Sequence, residues 1–221
     1  MKKLAIILVP LLILTLALSL MAIVFGGGGE ETPKSTPTST QTQETPKSTP
    51  TSTQTQALPT PKSTQTQALT SVYDNPVYGI RIAYPHDWTK QEGVLGTMFV
   101  QFLSPWESDS DLVKENLVIT WVDLSAQPMT LNEYTPLAIS LLPQNFPDYQ
   151  LIHSGETTLA DRPAYEVVFT CKQGQSIIKG RMVWTVENSK KAYMMLFLGE
   201  ESKYTNYQEI VDQMIDSFEI Y

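Results

Sequence analysis

The chain has 221 residues, a formal net charge of −8 and one cysteine, Cys171. From Asp74 to Glu219 it carries 20 acidic and 10 basic residues, so this part alone contributes 10 − 20 = −10. Binding a phosphate backbone needs a cationic surface, so the balance argues against nucleic acid and disfavours flat adsorption to anionic lipid. A lone cysteine permits no internal disulfide framework.

Met1-Lys2-Lys3 is followed by an uncharged run from Leu4 to Phe25, closed by Gly26 to Gly29. The run is longer than a usual secretory h-region and, as a helix rising about 1.5 Å per residue, would cover about 33 Å, enough to cross a bilayer core. Pro10 is tolerable in such a helix. Lys2 and Lys3 place the N-terminus in the cytoplasm, so the chain beyond Gly29 faces outward. Ala17-Leu18-Ser19 keeps a cleaved signal peptide open as the alternative, and length favours the anchor. No cysteine directly follows the run, so a bacterial-type lipoprotein anchor is not expected. Residues 1–29 are therefore read as an anchor or signal segment. The expected location is the cell membrane, single-pass with an extracytoplasmic domain, or secretion if the leader is cleaved.

Residues 30–71 read as a stalk. The sequence from Glu31 to Gln43 recurs unchanged from Glu44 to Gln56, and a shortened copy runs from Pro61 to Gln67. With almost no apolar side chain, these repeats cannot offset their ordering entropy, and disorder is expected. The Thr/Ser/Pro composition matches stalks that carry O-linked sugars. As a coil, the stalk spans roughly 35 Å.

From residue 72 to residue 221 the composition is that of a folded domain. Ile80, Ile82 and Tyr84 alternate with Arg81 and Ala83, the two-residue period of a half-buried strand. Pro85-His86-Asp87 reads as a turn into Trp88. Met98 to Leu103 and Leu117 to Leu124 are apolar on both faces, as central strands are. Thr130-Leu131-Asn132-Glu133 has capping-box spacing, with Leu131, Tyr134, Ala138 and Leu141 at helical intervals. Pro136 requires either an irregular first turn or a start with Thr135 as cap, and Pro143 is expected to end the helix.

Three strands in meander order come next. Tyr165, Val167, Phe169 and Cys171 share one face, and the chain turns at Gln173-Gly174. Ile178, Met182, Trp184 and Val186 lie on the next strand, Glu187 to Lys190 turns again, and Ala192 to Leu198 completes the set. Thr205-Asn206-Tyr207-Gln208 is expected to cap a last helix, with Tyr207, Val211, Met214 and Phe218 inward and Glu209, Asp212 and Asp216 outward. The predicted class is α+β: a mainly antiparallel sheet between helices, an α/β/α sandwich.

Tyr78-Gly79-Ile80-Arg81-Ile82-Ala83-Tyr84-Pro85-His86-Asp87-Trp88 resembles the opening strand of PsbP-like domains. Leu159-Ala160-Asp161-Arg162-Pro163-Ala164-Tyr165-Glu166 resembles a later strand of that family, and Ile215-Asp216-Ser217-Phe218-Glu219-Ile220 its closing segment. The three occur in the family's order over residues 72–221. The resemblance implies a Mog1/PsbP-type fold and an accessory or binding role, since the namesake is an extrinsic subunit of photosystem II. An anchor and a repetitive stalk separate this chain from that namesake, and no ion-binding residue of the family maps onto it.

Candidates for chemistry are few. Cys171 shares an apolar strand face, where a thiol is usually inert packing. His86 and Asp87 are neighbours in a turn and rarely aim at one substrate. His153 lacks metal-ligand spacing to His86, and no serine has a nucleophile-elbow context. Glu107, Asp109, Asp111 and Glu115 alternate oxygen ligands as calcium loops do, which keeps a weak divalent cation site open. The sixth loop position holds Leu112 and the twelfth Val118, so an EF-hand is excluded and a solvated acidic loop is the plainer reading. Trp88 reads as a plug at the end of the core, and Trp106 falls in a second turn.

No catalytic residue and no cofactor is expected. The leading functional reading is a non-catalytic accessory protein with a protein partner in a membrane or envelope complex. The alternatives are an extracytoplasmic hydrolase around His86, Asp87 and the acidic loop, or a structural surface protein.

Overall fold

Alternation at a period of two builds most of the domain, and the computed structural model shows how far it extends. Residues 68–93, 99–108 and 113–221 are described, so the expected anchor and nearly all of the expected stalk lie outside them. Among the described residues no helix is long and apolar enough to cross a membrane. The elements are β1 (Leu69–Asn75), β2 (Ile80–Pro85), β3 (Thr89–Glu92), β4 (Phe99–Leu103), β5 (Asn116–Asp123), α1 (Leu131–Asn145), β6 (Gln150–Leu159), β7 (Arg162–Gln173), β8 (Ser176–Glu187), β9 (Lys191–Glu200), α2 (Tyr204–Asp216) and β10 (Glu219–Ile220).

A seven-stranded sheet runs in the order β3-β4-β5-β9-β8-β7-β6, and a three-stranded sheet in the order β1-β2-β10. Every pairing among the described residues is antiparallel. From β5, in the middle of the large sheet, α1 crosses to the far edge. The meander β6-β7-β8-β9 then returns until β9 pairs with β5. Two of its hairpin turns use paired left-handed residues, Ala160-Asp161 (φ 50° and 57°) and Asn188-Ser189 (φ 50° and 56°). These are primed turns, whose twist matches that of the strands.

The central strand β9 shows why the sheet has two cores. Ala192, Met194, Leu196 and Leu198 join one cluster, with Val167, Phe169, Cys171, Met182 and Trp184 beneath α1. The intervening Tyr193, Met195 and Phe197 join the other, with Ile80, Ile82, Phe102, Val211, Met214 and Phe218. One face of the large sheet is thus covered by α1, the other by α2 together with the small sheet. The fold is the expected α+β sandwich, and in its second outer layer the three-stranded sheet stands beside α2.

α1 begins as its capping box requires. The Thr130 side chain accepts from the Glu133 amide and the Glu133 side chain accepts from the Thr130 amide. Pro136 and Pro143 both lie inside the helix, so the start at Thr130 holds and the start at Thr135 does not. Pro143 does not end α1. The helix runs on to Asn145, where the Phe146 amide closes it on the Leu142 carbonyl, because a proline in the last turn removes only one backbone donor.

α2 departs from expectation at its start. Lys203 is its N-cap and makes no side-chain cap bond, and Thr205 lies within the first turn. The buried Tyr204 ring fixes the start, 5.2 Å from the Phe197 ring and 4.4 Å from the Lys179 ammonium. Asp212 is not simply outward, because it pairs with Arg181 on the sheet below. Trp88 is buried as expected, against Tyr207.

Candidate functional site

The strongest sequence candidates fall between β4 and β5. Asp109 and Asp111 lie outside the described residues. Glu107 and Glu115 come to one corner, where the ends of β4, β5 and β9 meet the first turn of α2. One Glu107 oxygen accepts the Tyr207 hydroxyl at 2.7 Å and the other faces Lys203 Nζ at 3.2 Å. The Glu115 carboxyl is fully buried (0 % exposed) and accepts the Ser104 hydroxyl at 3.1 Å, while the Ser104 amide donates to the Glu115 carbonyl at 2.9 Å. Its second oxygen, Oε1, has no hydrogen-bond donor among the described residues. A β-carbon on Gly199 would lie 2.9 Å from Glu115 Cγ, so glycine on β9 makes room for this side chain.

Burial raises the Glu115 pKa above its ordinary 4.5, although its own amide and the Ser104 hydroxyl work against the rise. Burial and the Glu107 acceptor likewise raise Tyr207. Between the ordinary Glu115 value and the raised one, the folded state holds a proton that the unfolded state has released. Stability therefore falls as pH rises through that window. Glu115→Gln carries no charge at any pH and should stabilise the domain at pH 7 by about 1 kcal/mol. The difference should vanish below pH 4.5, where both states of the parent bind the proton. Urea titrations of both proteins across pH check this.

Trp106 stands beside the corner, 53 % exposed, with the Lys114 ammonium 4.8 Å from its ring centroid. The loop is thus tied across its base by Ser104–Glu115 and Trp106–Lys114 and tied to α2 by Glu107. Among the described residues no three His, Cys, Asp or Glu side chains gather closely enough to hold a metal ion.

The remaining candidates are dispersed. His86 and Asp87 are exposed on the turn between β2 and β3. His153 is exposed on the edge strand β6, and Cys171 is buried on the α1 side of β7. Burial pushes the Cys171 thiol up to about 11. Cys171 should therefore resist alkylation by a maleimide at pH 7 in the folded chain and react fully in denaturant. Mass spectrometry of the two samples reads this directly.

A small crevice opens between the two sheets, lined by Tyr73, Tyr78, Ile80, Val100, Trp121 and Tyr193 among others. Its interior is about 10 Å³, room for about one water.

The three segments that carry the family resemblance meet at one place. Gly79 takes φ +63° so that its backbone can face the C-terminus: the Tyr221 amide donates to the Gly79 carbonyl at 2.9 Å, and a β-carbon would lie 2.5 Å from the Tyr221 oxygen. The Ser217 hydroxyl donates to the Met214 carbonyl at 2.7 Å and accepts the Ala83 amide at 3.0 Å, joining the end of α2 to β2. Arg162 reaches the Ile220 carbonyl at 3.2 Å and Glu187 at 3.1 Å. These segments form a clasp that holds β10 against β2.

Sequence reasoning missed the buried Ser104–Glu115 pair and the Arg181 network. Arg181 bonds Glu166 and Asp212, joining β8, β7 and α2. The available signal was a charge at the apolar start of β5 and another inside β8.

A family model described as "PsbP-like protein" matches residues 40–220. The solution structure of cyanobacterial PsbP (CyanoP) from Synechocystis sp. PCC 6803 is similar, with a TM-score of 0.51 and 16% identity over 68% of this chain and 92% of that one. LpqN of Mycobacterium tuberculosis, described as involved in cell envelope biogenesis, gives 0.47 at 12% identity over 64% and 82%. The Saccharomyces cerevisiae Ran-binding protein Mog1p gives 0.46 at 5% over 68% and 94%. A comparison with curated proteins found no match. With its motifs, its sheet order and a family match spanning most of its length, this chain belongs to the PsbP-like family.

Proposed function

We propose that this protein is a non-catalytic accessory module whose folded domain docks a protein partner of a membrane or envelope complex. The domain would stand outside the cytoplasm, held to the membrane by residues 1–29 through the stalk of residues 30–71. The observation that carries the reading is where the reactive and polar side chains go. Glu107 is engaged by Tyr207 and Lys203, Glu115 by Ser104, Arg162 and Ser217 by the clasp, and Cys171 by the core. Function on such a scaffold falls to its surface. Family membership supports the accessory character, and the apolar run of residues 4–25 supports the tether.

The test is cross-linking of the full chain in its native membrane, with a chain ending at residue 68 as control. A specific protein recovered only with the domain supports the proposal. Equal recovery from both chains removes it.

A further inference from the structure

Among the described residues, Glu115 is the only Asp, Glu, His, Lys or Arg that the fold buries. One neutral donor serves it: the Ser104 hydroxyl, at the end of β4, reaches Oε2, and Oε1 receives nothing. A buried carboxylate so poorly served is costly, whereas the uncharged acid is tolerable there.

Each element packed around this carboxyl brings a defined group. The loop after β4 brings the Glu107 carboxylate, which opposes ionisation of Glu115, and the first turn of α2 brings the Lys203 ammonium, which favours it. The Tyr207 phenol lies one turn further on and is bonded to Glu107. β9 brings Gly199, without a side chain, and then Glu200. Lys203 Nζ is already engaged, 3.2 Å from Glu107 and 3.6 Å from Glu200. A charge on Glu115 can therefore be relieved in two ways. Either the carboxylate moves out to water, or Lys203 leaves Glu107 for it. Both loosen the hold of the loop base on α2, and Lys203, as an N-cap without a side-chain cap bond, leaves α2 little to resist with.

We propose that Glu115 is a proton-operated latch: the protonated carboxyl closes the corner between the base of the β4–β5 loop and α2, and loss of the proton opens that corner locally while both cores stay folded. The direction follows from linkage. In the open corner Glu115 has its ordinary pKa of 4.5, and in the closed corner burial raises it. Opening therefore grows as pH rises above 4.5 and levels off once the closed corner also releases the proton.

The test is amide hydrogen exchange on the full chain in detergent, corrected for the intrinsic rate at each pH. The Ser104 amide, which donates to the Glu115 carbonyl at 2.9 Å, reads the corner, and the Met182 amide on β8 reads the core. Protection at Ser104 should fall about fivefold from pH 4.5 to the plateau in the parent and stay level in Glu115→Gln. Lys203→Met removes the attraction to the ionised form and should move the plateau to higher pH. Low urea should speed exchange at Met182 and leave Ser104 unchanged, as local opening requires. The same pH profile in Glu115→Gln, or Ser104 following Met182 in urea, would overturn the proposal. Protection of Ser104 by millimolar calcium would overturn it too, since the carboxyl would then be a cation ligand.

Discussion

Trp184→Ala should lower the unfolding free energy by about 3–5 kcal/mol, the largest loss expected from any single side chain here. Trp184 is fully buried at the centre of β8 beneath α1, and its ring lies 5.5 Å from that of Tyr165. Its indole Nε1–H donates to the buried Thr135 hydroxyl at 3.0 Å. Truncation opens a cavity between sheet and helix and takes away that donor, and rigid strands on both sides prevent collapse. Since domains of this size are stable by only about 5–15 kcal/mol, the variant should be close to unfolding at 37 °C. Trp184→Phe keeps most of the volume and should lose about half as much. Urea titration followed by far-ultraviolet circular dichroism separates the two variants. A loss below about 1 kcal/mol for alanine would show that α1 does not pack as described.

Gly180→Ala should cost about 2–3 kcal/mol, although it adds one methyl group. Gly180 pairs across the sheet with Phe169, whose ring lies over the glycine. A β-carbon there would sit 2.4, 2.7 and 2.9 Å from three ring atoms. The ring is itself held by Phe146 at 4.6 Å and Tyr149 at 5.3 Å, so it has nowhere to move. Glycine in a strand ordinarily weakens it, and alanine would be the better residue on propensity alone. The sign of the measured change therefore distinguishes packing from propensity. Phe169→Leu combined with Gly180→Ala should recover part of the loss, because the smaller side chain vacates the ring's volume.

Much of this architecture was legible in the sequence, for definite reasons. Alternation on β2 and β7 reports burial on one face, the continuous apolar run of β9 reports burial on both, and the Thr130–Glu133 spacing reports a real capping box. The features that escaped depend on partners distant in sequence. β3 is exposed throughout and leaves no hydrophobic pattern. β6 has one buried residue in ten, and β1 alternates weakly across the boundary between stalk and domain. The start of α2 is set by tertiary packing of Tyr204, which overrides the Thr205 signal. At the candidate site, the spacing of the acids suggested a ligand set. The fold gives Glu107 a phenol and an ammonium, and buries Glu115 on a serine. The segments that carry the family resemblance likewise prove to be a clasp around β10, whose logic appears only when Gly79, Arg162 and Ser217 are seen together.

A domain that acts through its surface should lose nothing when its candidate chemical groups are removed. Native-membrane cross-linking of the full chain carrying His86→Ala, Glu107→Gln and Glu115→Gln decides the matter, with thermal unfolding confirming the fold. The expected result is the same cross-linked species in the same yield as the parent. Loss of that species from a folded variant would contradict the surface role and return the function to these side chains.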